Sequence, residues 1–355
     1  MKKKKSRASA GKRAALTALC LVLGLVLVIM LGGTIYVEYL LNKMNYVQAG
    51  STVDYLSQEE ADRLAQEDAA EEGEDADFTG PELSGEDVEF SDANLQIGGD
   101  KNIVNILLIG QDAREGEERA RSDSMILCTF NKLNNTITMT SFMRDMYVQI
   151  PGYKNNRINT AYTLGGMELL NETLNKNFGL QIDGNVEINF NHFKELIDLV
   201  GGIEIELSSS EASYLNKQAP GYETVSAGVN LLNGDQALVY ARNRHSDSSG
   251  DFGRTNRQRI VLDTLINRYK DSSLTTLVSM MDDILPMVTT DLTKSEITSY
   301  VTSLFPMLAT AEIVTQRVPV DGGYQQVKID GMSVLRVDFE KNIQALVDSL
   351  TGGVG

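Results

Sequence analysis

The sequence predicts an α/β fold, a mixed central sheet covered by helices on both faces, preceded by one transmembrane helix. From residue 102 onward, short apolar or alternating runs typical of strands are interleaved with longer runs typical of helices. Strands that alternate with helices along a chain favour a sheet with helices on both faces. Before this region, Ala14 to Tyr36 carries no charge and is rich in Leu, Val and Ile, which suffices to span a bilayer as a helix.

The N-terminus is predicted to anchor the chain in the cell membrane as a single-pass protein. Residues 1–13 form a basic tail with seven Lys and Arg, and such a flank stays in the cytoplasm while the following segment lies outside. A cleaved signal peptide would have a shorter apolar core and a small-x-small cleavage site. Bulky side chains follow Gly32 and Gly33 instead. We therefore expect residues 14–36 to be a retained transmembrane helix and the later domain to be extracellular.

Residues 37–100 are predicted to be an acidic, mostly disordered extracellular linker. Residues 51–100 alone contain seventeen Asp and Glu and one Arg, which accounts for most of the net charge of −17. Such a segment has too few large apolar residues to offset the entropy of ordering the chain. A self-repelling tether that holds the domain off the membrane and a spacer without a specific role both fit this composition.

The composition argues against several classes of function. The chain from Lys101 onward is mildly acidic, whereas a nucleic-acid binder is usually basic over a whole face, so no nucleic-acid partner is expected. The two cysteines, Cys20 and Cys128, are far apart and do not form a disulfide framework. With only two histidines, His192 and His245, neither a zinc site nor a Ser-His-Asp hydrolase is expected.

Each element of the domain is predicted from its own pattern. Apolar or alternating runs predict strands at 102–110, 123–130, 135–142, 186–190 and 203–207. Helical patterns cover 160–179, 191–202, 233–244 and 254–269, and Asn233 is a suitable N-cap for the third. These elements place the main domain at residues 101–272. Residues 273–355 are predicted to be a C-terminal helical extension packed on it, with a strand near 312–318.

Five arginines cluster between Val239 and Arg259 in this acidic chain. Arg242 and Arg244 lie near the end of one predicted helix, and Arg254, Arg257, Gln258 and Arg259 lie at the start of the next. Guanidinium groups bind phosphate oxygens bidentately, so two arginine sources around one loop suit a phosphate or pyrophosphate. Pairing with acidic side chains on a solvated surface is the alternative.

Charged residues also follow or precede the predicted strands. Asp112 follows the first strand, Arg121 and Asp123 precede the second, and Arg144 and Asp145 follow the third. Ligands of α/β sheets bind at strand ends, and the carboxylates of Asp112 and Asp123 can hold Mg²⁺ with water and phosphate as its other ligands. Each aspartate alone can equally be a turn or cap residue.

A third candidate is the stretch RINTAYTLGG, which contains Asn159. Asn159 can cap the helix that follows it, as Ser, Thr, Asp and Asn commonly do. The alternative is that this stretch is a loop and helix beside the ligand pocket.

From Asn102 to Arg268 the chain closely resembles the LytR-CpsA-Psr (LCP) family of cell-envelope proteins. The motifs that carry the resemblance are NILLIGQDAR, RSDSMIL, SFMRDMYVQIPG, RINTAYTLGG, LNGDQALVYARNR and GDFGRTNRQR, which occur in the family's order. The resemblance implies a membrane-anchored LCP catalytic domain at residues 101–272. It also implies transfer of a glycopolymer, of teichoic acid or capsular polysaccharide type, from a polyprenyl pyrophosphate carrier to peptidoglycan with Mg²⁺ or Mn²⁺.

The resemblance also implies roles for individual residues. It makes Arg144, Arg242, Arg244, Arg254 and Gln258 ligands of the pyrophosphate, Asp112 and Asp123 ligands of the metal, and Arg121 and Asp251 residues linked to activity. We add Arg257 and Asn159 to the pyrophosphate site because of their places in the arginine cluster and in RINTAYTLGG. Two positions depart from the family pattern. Met143 replaces a proline before Arg144, and Asn243 replaces an aromatic or apolar residue between two arginines.

Three functions remain open on the sequence. The first is the transferase, in which Asp112 or Asp251 accepts the proton of the attacking hydroxyl group. The second is a membrane-tethered binding or regulatory protein of the attenuator type, which holds lipid-linked polymer without turnover. The third is a lipid pyrophosphatase that uses the same site with water as the acceptor. A metal-dependent role for the aspartates separates the enzymes from the binding protein.

Overall fold

The computed structural model describes residues 35–47, 55–64, 80–90, 95–112, 119–246, 250–269, 280–308 and 310–352. The basic tail at 1–13 and the predicted transmembrane helix at 14–36 lie outside these ranges, apart from residues 35 and 36. Within these ranges, no helix combines the length and the apolar character that crossing a membrane requires.

The strands form one central sheet, one smaller sheet and one hairpin. In chain order they are β1 (Asn45–Tyr46), β2 (Glu82–Leu83), β3 (Ile103–Gln111), β4 (Ser122–Asn131), β5 (Thr136–Phe142), β6 (Met146–Val148), β7 (Asn156–Arg157), β8 (Gly184–Asn189), β9 (Ile203–Leu207), β10 (Gly228–Leu232), β11 (Thr289–Thr290), β12 (Glu312–Val318), β13 (Tyr324–Ile329) and β14 (Met332–Val337). The central sheet has the order β1-β11-β8-β3-β4-β5-β12, the smaller one β2-β13-β14-β6-β7, and β9 pairs with β10.

The central sheet is mixed, as predicted. Strand β4 runs antiparallel to β3 and β5, whereas β8 lies parallel to β3 and β12 lies parallel to β5. The end of β3, the start of β4 and the end of β5 therefore meet at one edge of the sheet. The charged residues that the sequence places at these strand ends are brought together there.

Helices cover both faces of the central sheet. They are α1 (Ile158–Phe178), α2 (Phe190–Leu199), α3 (Ser209–Gln218), α4 (Gly234–Arg242), α5 (Asp251–Tyr269), α6 (Lys294–Leu308) and α7 (Phe339–Thr351). Leu107 and Leu127 project to the face that α1 and α7 cover. Alternate residues such as Ile126 and Val104 project to the opposite face, against α5 and α6. Burial on both faces explains why β3 and β4 read as nearly continuous apolar runs.

The prediction of a helical extension at residues 273–355 is incomplete. The predicted strand near 312–318 is present as β12, and α6 and α7 lie in this region, but the region also supplies three strands that were not predicted, β11, β13 and β14. β11 and β12 complete the central sheet, and β13 and β14 form the hairpin at the centre of the smaller sheet. Asp330 and Gly331 turn this hairpin with φ of 50° and 84°. An Asp-Gly pair between alternating apolar residues is a strong hairpin signal that the helical interpretation overlooked.

Parts of the predicted linker, residues 37–100, pack on the domain. β2 pairs with β13, Val88 is buried beside that hairpin, and Ile97 is buried where it bridges to Leu180. Residues 58–64 are helical, and the neighbouring Leu56 donates its amide hydrogen to the Leu164 carbonyl at 2.9 Å. These described segments belong to the fold and are not a free spacer.

A chain that begins at residue 101 should be less stable than one that begins at residue 80. The shorter chain lacks Val88 and Ile97, whose exposed fractions are 7% and 1%. Burying one such side chain contributes about 1.5–3 kcal/mol. Urea denaturation should show a lower midpoint for the shorter chain, and a chain that begins at residue 91 and keeps Ile97 should fall between them. Equal midpoints for all three would contradict the packing of these segments.

Candidate functional site

A cleft of about 690 Å³ opens where the ends of β3 and β5 and the start of β4 meet α4 and α5. Its described lining contains six arginines and two aspartates, which are Arg119, Arg121, Arg144, Arg242, Arg244, Arg254, Asp112 and Asp123. Positive charge therefore exceeds negative charge locally, although the whole chain carries −17. The cleft unites both of the sequence features that suggested an anion site.

The base of the cleft is a network of buried charges around Arg144. Its Nη1 donates to Asp123 Oδ1 at 2.8 Å, and its Nε lies 3.4 Å from Asp145 Oδ1 and 3.6 Å from Asp251 Oδ1. Arg254 extends the network, because its Nη2 lies 2.8 Å from Asp251 Oδ1. Two guanidinium groups are thus held at the base by three carboxylates. Arg144 has three carboxylate neighbours, which fix it more firmly than a single ion pair would.

Burial and neighbouring charge act differently on the carboxylates of this network. Burial alone would raise the pKa of Asp123, but the charges of Arg144 and Arg254 outweigh it and hold that pKa below its usual range. For Asp251, burial prevails and raises the pKa, with the charge of Asp145 acting in the same direction. The two carboxylates therefore share the same arginines but differ in proton affinity.

The outer wall of the cleft carries Arg242 and Arg244. Arg242 ends α4, where its Nη2 donates to Asp112 Oδ2 at 2.9 Å and its guanidinium lies 4.6 Å from the centre of the Phe190 ring. Between the two arginines, Asn243 is fully buried and its side-chain oxygen accepts the amide hydrogens of His245 and Ser246 at 3.0 and 3.2 Å. This local turn explains a polar residue there, since Asn commonly bonds to backbone two residues ahead.

A buried cluster fixes the strand ends that carry Asp112 and Arg121. The amide of Gln111 donates to one carboxylate oxygen of Glu187, and the hydroxyl of Tyr162 donates to the other. Gln111 Oε1 in turn accepts the amide hydrogen of Ala120 at 3.2 Å. Glu187 on β8 therefore braces both ends of the β3–β4 connection through Gln111.

The assignment of Arg257 to the pyrophosphate site is corrected by the structure. Its Nε donates to Glu211 Oε1 at 2.7 Å, its Nη1 to the Asn243 carbonyl at 3.0 Å, and its Nη2 to Ser246 Oγ at 3.0 Å. Arg257 is buried and does not line the cleft. Glu211 lies on α3, a helix that the sequence interpretation missed although Ser208 and Glu211 form a capping box.

Gln258 and Asn159 also lie outside the cleft lining. The helix that contains Gln258 begins at Asp251 rather than at Arg254, so Gln258 lies in its second turn, one turn beyond Arg254. Asn159 is buried, and its amide hydrogen lies toward the Arg144 carbonyl at an N–O distance of 3.4 Å. It supports the backbone of Arg144 instead of facing the cleft.

The two aspartates of the cleft suit a hard divalent cation. Asp112 and Asp123 each use one carboxylate oxygen to pair with an arginine. Among the described residues, no group of three or more His, Cys, Asp or Glu side chains could hold a metal ion. Mg²⁺ commonly binds one or two carboxylates and takes its other oxygens from water and phosphate, so this donor set fits Mg²⁺.

The sequence interpretation omitted several residues that the structure brings to the site. Arg119 lines the cleft beside Arg121, and its place in the same short basic run was an available signal. Tyr214 of α3 and His245 also line it, with ring centres 5.9 Å apart. Nothing near these two in the sequence marks them as neighbours, because α3 and the turn after α4 meet only in the folded chain.

Comparisons with known proteins agree with this architecture. Residues 58–350 match the model of the LytR_cpsA_psr family. The span begins within the segments that pack before β3 and ends in α7, so it covers both of the regions whose prediction the structure corrects.

Two characteristic relatives are TagU and MsrR, which are similar to this chain in sequence. The polyisoprenyl-teichoic acid–peptidoglycan teichoic acid transferase TagU of Bacillus mycoides is 37% identical over 195 residues, which are 54% of this chain and 62% of TagU. The chain therefore spans less than two thirds of TagU. The regulatory protein MsrR of Staphylococcus aureus is 33% identical over 253 residues, which are 70% of this chain and 74% of MsrR.

A solved structure of TagT bound to LIIa-WTA has a similar fold. TagT is a Bacillus subtilis protein, and its complex superimposes with a TM-score of 0.59 at 26% identity. The similarity covers 74% of this chain and 98% of TagT.

Glu211→Ala should destabilise the protein strongly, because it leaves the buried guanidinium of Arg257 without its carboxylate partner. Removing one member of a buried ion pair costs about 3–5 kcal/mol. Chemical denaturation measures this cost. The matched control is Lys194→Ala, which breaks the more exposed 3.5 Å pair with Asp235 and should cost under about 1 kcal/mol. Similar losses in both variants would argue against a structural role for Arg257.

Glu187→Gln should change how stability depends on pH. Burial raises the pKa of Glu187, so the folded protein holds this proton to a higher pH than the unfolded chain does. The stability that this proton contributes is present below the unfolded pKa, about 4.3, and is lost as pH rises through the folded pKa. As pH rises over that window, the free energy of unfolding of the neutral Gln variant should therefore increase relative to that of the wild type. Urea unfolding at several pH values tests this, and parallel curves would contradict it.

Proposed function

Because the chain belongs to the LytR-CpsA-Psr family, as the motif resemblance predicted, we propose that it is a membrane-anchored extracellular phosphotransferase. It moves a glycopolymer of teichoic acid or capsular polysaccharide type from a polyprenyl pyrophosphate carrier to peptidoglycan. The names of TagU and of the TagT complex support a teichoic acid substrate. The anchor is the segment at residues 14–36, with its N-terminus in the cytoplasm.

The surplus of arginine in the cleft is the observation that carries this proposal. Six arginines face two aspartates in the described lining, and they remain in excess when Asp145 and Asp251 behind them are counted. A pyrophosphate brings the negative charge that would balance this excess. Guanidinium groups at the base and on the wall suit its two phosphoryl groups, since each group can accept bidentate hydrogen bonds.

The proposed reaction breaks one phosphorus–oxygen bond and forms another. A sugar hydroxyl oxygen of peptidoglycan attacks the phosphorus next to the glycan, and the bond to the bridging oxygen breaks, so polyprenyl phosphate leaves. Negative charge grows on the phosphoryl oxygens during this step. Preorganised positive groups stabilise such charge, and we assign this role to Arg121, Arg144, Arg242, Arg244 and Arg254.

We assign Mg²⁺ or Mn²⁺ to the carboxylates of Asp112 and Asp123. The cation would supply further positive charge at the phosphoryl oxygens. The low pKa of Asp123 keeps this carboxylate ionised and able to bind a cation at neutral pH. Its pair with Arg144 would then connect the metal site to the base of the cleft.

We assign acceptance of the hydroxyl proton to Asp112 and an orienting role to Asp251. Asp112 lines the cleft and is partly exposed, so an acceptor sugar can reach it. Asp251 does not line the described cleft, and it contacts Arg144 and Arg254. It therefore supports the two arginines at the base and holds them in place.

A regulatory binding protein is the second candidate, and the similarity to MsrR, a regulatory protein, is the observation that favours it. Such a protein would use the same arginines to hold lipid-linked polymer without breaking it. A lipid pyrophosphatase would use the same cleft with water as the attacking group. Transfer to peptidoglycan, release of phosphate and binding without turnover are distinct results of one assay.

Arg242→Ala and Asp123→Asn should each lower the transfer rate of the full-length protein in detergent by about 100-fold or more, the usual effect of removing one group that stabilises a transition state. The assay supplies a labelled polyprenyl-pyrophosphate-linked glycan, peptidoglycan fragments and Mg²⁺. Removal of the cation by a chelator should abolish transfer.

The control for this assay is Arg336→Gln, which removes an arginine of β14 outside the cleft and should leave the rate unchanged. Donor binding by the wild type without transfer or phosphate release would favour the regulatory protein. Phosphate release without labelled peptidoglycan would favour the pyrophosphatase.

A further inference from the structure

A second basic pocket of about 330 Å³ lies on the other side of the first turns of α5. Arg259 of α5 and Arg317 of β12 form its basic wall, and Phe252 of α5 also lines it. Neither Arg259 nor Arg317 lines the cleft that we assign to the pyrophosphate. The proposed reaction therefore leaves this pocket without a role.

The pocket contains an excess of positive charge. Its only described lining carboxylate, Glu211, is already paired with Arg257 at 2.7 Å. Arg259 donates to the Gln316 carbonyl at 2.8 Å and to Asn256 Oδ1 at 3.2 Å, and no carboxylate of the described chain pairs with it. Burial lowers the pKa of Arg259, and the nearby charge of Arg317 lowers it further, as expected for like charges held together.

The partner of Arg317 leaves that arginine available to the pocket. Arg317 pairs with Asp321, whose side chain is 88% exposed and lies outside the pocket lining. Exposed ion pairs contribute about 0–1 kcal/mol, so solvent and ligands compete easily for this guanidinium. Two adjacent arginines with so little opposing charge are a suitable site for an anion.

An aromatic ring lies beside these charges. The guanidinium of Arg317 lies 4.8 Å from the centre of the Phe252 ring, and that ring contacts Tyr324 in a tilted arrangement, with centres 5.0 Å apart and an interplanar angle of 33°. Phe252 is half-buried, so part of its side chain is exposed to solvent. Aromatic rings offer a flat apolar surface on which the carbon face of a sugar or polyol can pack.

The position of the pocket connects it to the cleft. Asp251 contacts the arginines at the base of the cleft, and the next residue, Phe252, lines the second pocket. A ligand that extends from the base of the cleft past the first turn of α5 can therefore reach the second pocket. The glycan attached to the pyrophosphate is such a ligand.

We propose that Arg259 and Arg317 bind a phosphate group within the transferred polymer, with the adjoining sugar or polyol unit against Phe252. This inference rests on the proposed function, because it takes the polymer as the molecule that extends from the cleft. The pocket then selects polymers with phosphodiester repeats over neutral glycans. It acts on substrate binding and leaves the chemical step to the cleft.

The binding test uses the full-length protein in detergent and a synthetic glycerol phosphate oligomer. Titration calorimetry compares the wild type with the Arg259→Gln, Arg317→Gln double variant and with Arg336→Gln as the control. Loss of charge-assisted hydrogen bonds should weaken oligomer binding about tenfold or more in the double variant alone. Arg317→Gln alone replaces the double variant if the latter does not fold, since its side chain is 25% exposed.

Two further arms decide the source and the role of the phosphate. Orthophosphate should compete only weakly with the oligomer, and full competition at equal concentration would overturn the polymer assignment in favour of free phosphate. In the transfer assay, the double variant should have a higher KM than the wild type for a donor with phosphodiester repeats, and its kcat should be unchanged. A donor with a neutral glycan should be unaffected, and an equal loss with both donors would overturn the proposal.

The binding arm separates this proposal from the proposed function. If the wild type binds the oligomer through these arginines but transfers no polymer, the proposed transferase function is rejected and the proposed phosphate pocket is supported. If transfer occurs and the double variant binds the oligomer as tightly as the wild type does, the proposed phosphate pocket is rejected and the transferase function is supported.

Discussion

The buried ion network around Arg144 is the constraint on which the site depends. Arg254 is buried and the side chain of Arg144 is 13% exposed, and bringing such groups out of water costs several kcal/mol for each ion before any pairing is counted. Asp123, Asp145 and Asp251 compensate that cost, but the arginines on the walls keep the cleft positive. Among the described residues, the lining of the cleft therefore contains more arginines than carboxylates, and this excess is the basis of the proposed pyrophosphate site.

The sheet topology explains why this network can form from residues far apart in the chain. Asp123 and Arg144 belong to neighbouring antiparallel strands, at the start of one and just after the end of the other. Arg254 arrives from a helix on the far side of the sheet. The hydrogen bonds from Gln111 to Glu187 and from the Ala120 amide to Gln111 then fix the end of β3 and the residues just before β4. The geometry of the site is thus distributed over the sheet and over the helices of both faces.

Much of this arrangement was predictable from the sequence, and the failures have physical causes. Apolar runs that end in charged residues located β3, β4 and β5, and they identified Asp112, Asp123 and Arg144 as neighbours. Side-chain partners across the fold were not predictable in the same way. Arg257 was assigned to the ligand because its partner Glu211 belongs to an unrecognised helix, 46 residues earlier. The strand near 312–318 was predicted and is β12, whereas β11, β13 and β14 were missed, because β11 has two residues and β13 and β14 have six each, so no long apolar run marks them.

Helix α5 shows how one short segment can serve several tasks. Arg254 faces the charges at the base of the cleft, Arg257 locks the turn that carries Arg244, and Arg259 points to the second pocket. Residues three apart on a helix are neighbours, while residues five apart lie on different faces. Sequence spacing places Arg254 and Arg259 on different faces, but it does not show what each face contacts, and the neighbours supplied by α3 and β12 decide the role of each arginine. A buried carboxylate makes Arg257 a structural residue, whereas Arg259 has no carboxylate partner in the part of the chain that the structure describes and is the arginine that we assign to an anion.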